Sequence, residues 1–225
     1  YTLQGAVGDD VSEAQTYTAG EHDVTIDKAK FNQDADRTYK LTVKAEADEG
    51  SSLEQTYHIV YDVKGPEVRI AYPVDNSNLN GDEGQSLVIQ GSAFDTGSGL
   101  AENPITVTLT KEGGSEQTPT VVKNGGSWET EPLNLSQSPY GDGQYTLNVK
   151  AKDAVGHEAV ETYTFNYDQA APVIKTLQIN GHDVTDNPLD TISTTSNVTL
   201  SGNIIESYGL DDFSINGDDM PLSSL

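Results

Sequence analysis

Two stretches of this chain copy each other, and that limits the fold more than any other feature. Residues 36–66 align with residues 142–172 without a gap, at an offset of 106 residues. Twelve of the 31 positions are identical, among them Asp36/Asp142, Tyr39/Tyr145, Leu41/Leu147, Tyr61/Tyr167, Asp62/Asp168 and Pro66/Pro172. A shorter pattern, apolar-x-Gly-x-apolar-x-acid, occurs three times: Leu3-Gly5-Val7-Asp9, Ile89-Gly91-Ala93-Asp95 and Leu200-Gly202-Ile204-Glu206. One module type therefore recurs, with joints near Pro66 and Pro172. Solenoid repeats run about 20–50 residues, which is too short for this spacing. A β-sandwich of about 100 residues fits it.

The local pattern agrees. Tyr145, Leu147, Val149 and Ala151 alternate with Thr146, Asn148, Lys150 and Lys152, the period of a half-buried strand. Tyr163, Phe165 and Tyr167 alternate likewise, and Ile105, Val107 and Leu109 alternate with threonines. Asn80-Gly81, Asn124-Gly125, Asn180-Gly181 and Asn216-Gly217 are turn signals. No amphipathic helix of ten residues or more is expected. In the middle copy, strands A to G are expected near 68–72, 86–94, 104–111, 119–123 (C′ or D), 127–131, 144–152 and 160–168. Tyr145 follows Asp142-Gly143 where a tyrosine corner would sit, its hydroxyl bonding upstream backbone.

The expected domains are 1–64, 65–170 and 171–225, of which only the middle one is complete. The first copy begins inside strand B and is shortened between B and F. The third has room for strand C and a hairpin at Asn216-Gly217, but not for F and G. Opening on Tyr1, the chain reads as a processed or excised piece of a longer protein.

Residues 125–172, GGSWETEPLNL through GDGQYTLNVKAKDAVGHEAVETYTFNYDQAAP, resemble the tandem bacterial Ig-like repeats of large surface and secreted proteins. Trp128, Asp142, Gly143, Tyr145, Asp153, Gly156, Asp168 and Pro172 match the pattern of that group, and His157 stands where Asn is usual. The resemblance implies an all-β fold of tandem immunoglobulin-like, Greek-key sandwiches, the outer two incomplete. It also implies an extracellular or cell-surface location and neighbouring Ig-like repeats as partners within the chain. Such modules occur in adhesins, biofilm proteins and polysaccharide-active enzymes.

Composition removes several functions. Thirty-six acids against 12 bases give a formal net charge of −24. Phosphate recognition needs clustered cations, so nucleic acid is not an expected partner. No run approaches the ~18 apolar residues of a membrane helix. Cysteine is absent, so no thiol chemistry or disulfide framework exists. His22, His58, His157 and His182 are scattered without zinc-ligand spacing. No nucleophile elbow or phosphate loop occurs, and the chain is not expected to be an enzyme. The aromatic faces Tyr163-Phe165-Tyr167 and Tyr57-Ile59-Tyr61, and Trp128, read as core rather than sugar platforms.

The acids are the informative set. In a sandwich of this topology, strands B and F end at the pole where strand A begins. Asp95 closes B, Asp153 closes F, and Asp62 ends the preceding module. These three are expected to converge at the first joint. Asp168 and Glu206 take the same places at the second joint, and Asp9 and Asp48 lie at the equivalent pole of the first copy. Clustered carboxylates repel one another unless a cation neutralises them, and hard oxygen ligands suit Ca²⁺. The alternative is that each acid caps its own turn through Asx hydrogen bonds. The expected function is a non-catalytic stalk or adhesion segment, calcium-stiffened under the first of these readings, that presents a domain to a host-surface or matrix ligand. An accessory region of a secreted carbohydrate-active enzyme, or a glycan-binding module, is the alternative.

Overall fold

Alternation at period 2 puts every second side chain on one face of a strand, and the chain is built from strands accordingly. The computed structural model describes residues 2–5, 10–12, 23, 25–47, 49–186, 191, 193–208, 210 and 212–219. The first unit is one sheet of β1 (Thr2–Gly5), β2 (Asp10–Ser12), β3 (Arg37–Glu46) and β4 (Ser52–Tyr61), ordered β2-β1-β3-β4. The middle unit comprises β5 (Glu67–Tyr72), β6 (Ser77–Leu79), helix α1 (Gly81–Gln85), β7 (Gln90–Phe94), β8 (Leu100–Lys111), β9 (Glu116–Gln117), β10 (Val121–Asn124), β11 (Ser127–Thr130), β12 (Gly143–Asp153) and β13 (Glu158–Tyr167). The third unit holds β14 (Val173–Ile179), β15 (His182–Asp183), β16 (Leu200–Ile205), and a hairpin of β17 (Ser214–Ile215) and β18 (Asp218–Asp219).

The middle unit is an all-β Ig-like sandwich. Its sheets run β10-β11-β7-β5 and β6-β13-β12-β8-β9. Strands A to G lie close to where alternation places them, but C starts earlier, at Leu100, and B is shorter, starting at Gln90, with Leu87 held by an isolated bridge to Leu133. The center of the second sheet is β12, paired with β13 on one side and β8 on the other along nearly its whole length. Its inward residues Tyr145, Leu147, Val149 and Ala151 are fully buried. Across the sandwich they meet Val68, Ile70, Ile89, Ala93 and Trp128. The Tyr145 ring stacks on Phe165 at 5.2 Å, and its hydroxyl donates to the Gly141 carbonyl at 2.6 Å, the expected corner. Trp128 is 2% exposed, as a core residue should be. Strand β6 runs parallel to β13, and Asp75, Asn76 and Asn78 bond Thr164 and Asn166 across that seam.

The glycine of the threefold pattern has a steric role. Gly91 pairs with Ile70, next to a bulge, and a Cβ there would run into the Arg69 carbonyl and the Trp128 ring. Gly202 pairs with Leu177, and a Cβ there would meet the Thr176 carbonyl. The A–B ladder thus recurs in the third unit.

The structure corrects three expectations. The first copy of the pattern does not form strand B: β1 pairs with β3, Leu3 opposite Leu41, where β8 pairs with β12 as Leu109 opposite Leu147. Among the described residues of the first unit no strand C lies beside β3, and β1 takes that edge. Asn80-Gly81 is not a turn. Asn80 caps α1, accepting from the Asp82 and Glu83 amides at 3.0 Å while Glu83 accepts from the Asn80 amide at 2.9 Å. Finally, Tyr57 is 51% exposed. The described first unit has no second sheet over that face. Asn180-Gly181 and Asn216-Gly217 do form tight hairpins, with all four residues at positive φ.

Two substitutions check the core. Tyr145→Phe should cost about 1 kcal/mol, one net hydrogen bond, and Leu147→Ala about 2–5 kcal/mol through transfer and cavity terms. Urea denaturation measures both.

Candidate functional site at the first joint

Three loops meet where the first unit hands over to the second. They are 62–66 after β4, 95–99 between β7 and β8, and 153–157 between β12 and β13. Each is organised by an aspartate accepting main-chain hydrogen bonds, because an acid-rich chain has few cations to offer and many amides.

Asp153 is 1% exposed. Its Oδ1 accepts from the amides of Val155 at 3.0 Å, Gly156 at 2.6 Å and His157 at 2.8 Å. Its Oδ2 lies 2.8 Å from His157 Nδ1. Gly156 has φ of 107°, which lets the turn close beneath the carboxylate. Asp95 Oδ2 accepts from the Gly99 amide at 2.7 Å, closing its own loop. The Gly99 carbonyl in turn accepts from the Ala154 amide at 2.8 Å, tying the second loop to the third.

Asp62 belongs to the first unit but is bonded to the middle one. Its Oδ2 accepts from the Ser98 amide at 2.7 Å, and its Oδ1 from Lys64 at 3.1 Å. Asp36 supports the same strap, accepting from the Val63 and Lys64 amides at 2.9 and 3.1 Å. Burial pushes the Asp62 carboxyl up, but hydrogen bonds from Ser98 and Lys64 outweigh that and hold it below the usual aspartate value. Gly97 lies directly against this carboxylate.

Ligand atoms of Asp62, Asp153 and His157 lie within 4.8 Å of one another, and Asp95 is not in that group. The sequence therefore indicated two of the three residues. His157 has no second histidine at zinc-ligand spacing, so spacing alone does not single it out. The available signal was its place four residues after Asp153, in a turn where the resembling repeats have Asn. Its hydrogen bond to Asp153 raises the imidazole above the usual histidine value against desolvation, helped by the Asp153 and Asp62 charges and the Lys64 carbonyl. When protonated, the ring places positive charge beside the Asp153 carboxylate.

Ca²⁺ takes six to eight oxygens, whereas the Asp62 and Asp153 oxygens here accept N–H groups and the third member is a nitrogen ligand. As arranged, the residues fit turn caps better than a calcium cage. At the second joint, Asp168 accepts from the Ala170 amide at 2.8 Å, and Glu206 from Ser207 at 2.7 Å and Tyr208 at 3.3 Å. Among the described residues these two acids join no metal-type cluster. Asp9 and Asp48 lie outside the described residues.

Residues 93–169 match the family model of a bacterial Ig-like domain. No curated protein matches the chain. Among solved structures, a tetra-tandem repeat from the extending region of a large adhesion protein is similar over 92% of this chain and 55% of its own, at 17% identity and TM-score 0.41. PcoC, a methionine-rich copper resistance protein from Escherichia coli, is similar over 47% of this chain and 100% of its own, at 19% identity and TM-score 0.32. An engineered protein is similar at 22% identity and TM-score 0.32, over 46% of this chain, which spans only 20% of that protein.

Asp153→Ala should cost about 1–3 kcal/mol, because it leaves three half-buried loop amides without their charged acceptor. Stabilisation from His157 follows the opposite pH sense to that from a paired acid. Its folded-state value is raised, so the contribution is full below about pH 6.5 and disappears as pH climbs through the raised value. The melting-temperature gap between the parent and His157→Gln should close over that climb.

Proposed function

We propose that this chain is a non-catalytic spacer of a bacterial surface or secreted protein, built from Ig-like units at 1–64, 65–170 and 171–225 set end to end. The carrying observation is the first joint, where Asp62 of one unit is bonded to Ser98 of the next across a short strap. A binding module displays side chains on an accessible face. Here Trp128, Tyr145, Phe165 and Tyr167 of the middle unit are buried in the sandwich, and the functional investment is in the connection between units. No helix of the described residues is long and apolar enough to cross a membrane, and the matched domain type favours an extracellular setting. What such a spacer presents, to a host surface or a matrix, lies with the rest of its protein.

Length supports the mechanical reading. At about 3.3 Å per residue, the 11 residues of β12 make the middle unit about 36 Å long. Small-angle scattering should give an elongated particle with a maximum dimension well above that of a sphere of equal mass. A compact particle would overturn the reading, as would selective glycan capture on an array.

A divalent cation at the first joint is the second reading, favoured by the convergence of Asp62, Asp153 and His157. Millimolar Ca²⁺ and chelator separate the two. If hydrogen bonds hold the joint, melting temperature and scattering profile are the same in both. If calcium holds it, chelator lowers the melting temperature, and Asp153→Ala abolishes the difference.

A further inference from the structure

The strap that leaves the first unit is shaped from within that unit. Asp62 accepts from the Lys64 amide at 3.1 Å, and Asp36 accepts from the Val63 amide at 2.9 Å. At the repeat offset of 106 residues, the strap that leaves the middle unit has the same two bonds. Asp168 accepts from the Ala170 amide at 2.8 Å, and Asp142 accepts from the Gln169 amide at 3.2 Å. The two straps, Asp62-Val63-Lys64-Gly65-Pro66 and Asp168-Gln169-Ala170-Ala171-Pro172, have the same length and end on the same residue. Main-chain amides donate these bonds, so exchanging Val63-Lys64 for Gln169-Ala170 leaves the shape alone.

The middle unit also carries what receives such a strap. Its Ser98 amide donates to Asp62 at 2.7 Å. A Cβ at Gly97 would fall 2.6 Å from each Asp62 carboxylate oxygen, so the seat exists only because glycine leaves it open. The seat is held in shape by its own unit: Asp95 accepts from the Gly99 amide, and the Gly99 carbonyl accepts from the Ala154 amide. Gly65 lies against the Glu158 carbonyl, where an added Cβ would stand 3.4 Å from the oxygen, an ordinary contact. The second strap has Ala171 at that place, and the methyl fits.

We propose that the middle unit is complementary to itself end to end: its exit strap, 168–172, fits the seat at Gly97 and Ser98 of another copy of the same unit placed next in line on the chain. Asp168 takes the place of Asp62 on the Ser98 amide, and Asp142 braces the strap as Asp36 does. This rests on the end-to-end spacer reading and names what one unit recognises in the next. A head-to-tail contact that does not close on itself builds an open rod, so copies of this unit add in one geometry. Gly97 is the position that sets the specificity, since a side chain there displaces the carboxylate.

The test inserts a second copy of residues 67–172 directly after Pro172 in the full chain, so that the strap 168–172 runs into a second Glu67. The absence of cysteine allows site-specific spin labelling. A label pair at Thr56→Cys and Thr106→Cys reads the natural joint. Thr162→Cys in the original copy and Thr106→Cys in the inserted one read the new joint at matching places, because Thr162 is the repeat equivalent of Thr56. All three residues are exposed. Pulsed dipolar spectroscopy should give both pairs the same mean distance and the same width. Gly97→Ala in the inserted copy, or Asp168→Ala in the original, should free the new strap as a short flexible linker and widen its distribution about twofold. Hydrogen exchange gives a label-free readout: the Ser98 amide of the inserted copy should be as protected as that of the original and lose protection in either variant. Circular dichroism and melting establish that each protein is folded. A new joint broader than the natural one overturns the proposal, and so does a new joint that neither variant changes. The spacer reading survives that result, since intact units on loose joints still scatter as an elongated particle.

Discussion

Everything in the middle unit hangs on β12. It is hydrogen-bonded on both edges, and four of its side chains are withdrawn completely from water. Burying such side chains contributes about 1.5–3 kcal/mol each, so this strand supplies a large share of what opposes chain entropy. Its two ends also carry the unit's special groups. At the start, Tyr145 fixes the turn at Gly141. At the finish, Asp153 turns the chain into β13. The joint is therefore positioned by the core rather than by the linker.

Charge shapes how that end is finished. With three acids to every base, carboxylates cannot all be matched with lysine or arginine. The ion pairs Lys44–Glu46, Arg69–Glu67 and Lys150–Glu158 all lie on the surface, and exposed pairs contribute little. The carboxylates that matter are met by main-chain amides instead. Amides cannot be titrated or screened away, and they fix the loop that carries them. Fixing the loop is what lets a neighbouring unit recognise it.

Much of this was legible in the residues. Alternation around Tyr145 and Tyr163 located the strands, because a sandwich strand buries one face and wets the other. The repeat located the joints, and Asp62 and Asp153 were placed together on topology alone. Less legible was anything that depended on a missing neighbour. The segment at Leu3 carries the strand-B pattern but pairs as strand C, since an open edge on β3 outweighs the pattern. Tyr57 copies Tyr163 yet stands half in solvent, since described sheet exists on only one side of it. Asn80 looked like a turn residue because Asn-Gly usually is one; Glu83, three residues on, was the cue for a capped helix.

The parallel seam between β6 and β13 bears on how the unit would respond to tension. Chain enters beside β5 and β6 and leaves from the end of β13, so a pull on the two ends draws β6 and β13 in opposite directions along their shared axis. Their ladder from Ser77–Phe165 to Leu79–Tyr167, and the side-chain bonds from Asp75, Asn76 and Asn78, would be strained sideways and all at once. A hairpin pulled from its open end parts one bond at a time, each break lending its force to the next. Here no bond can fail alone, and the unit would yield to tension abruptly rather than by unzipping.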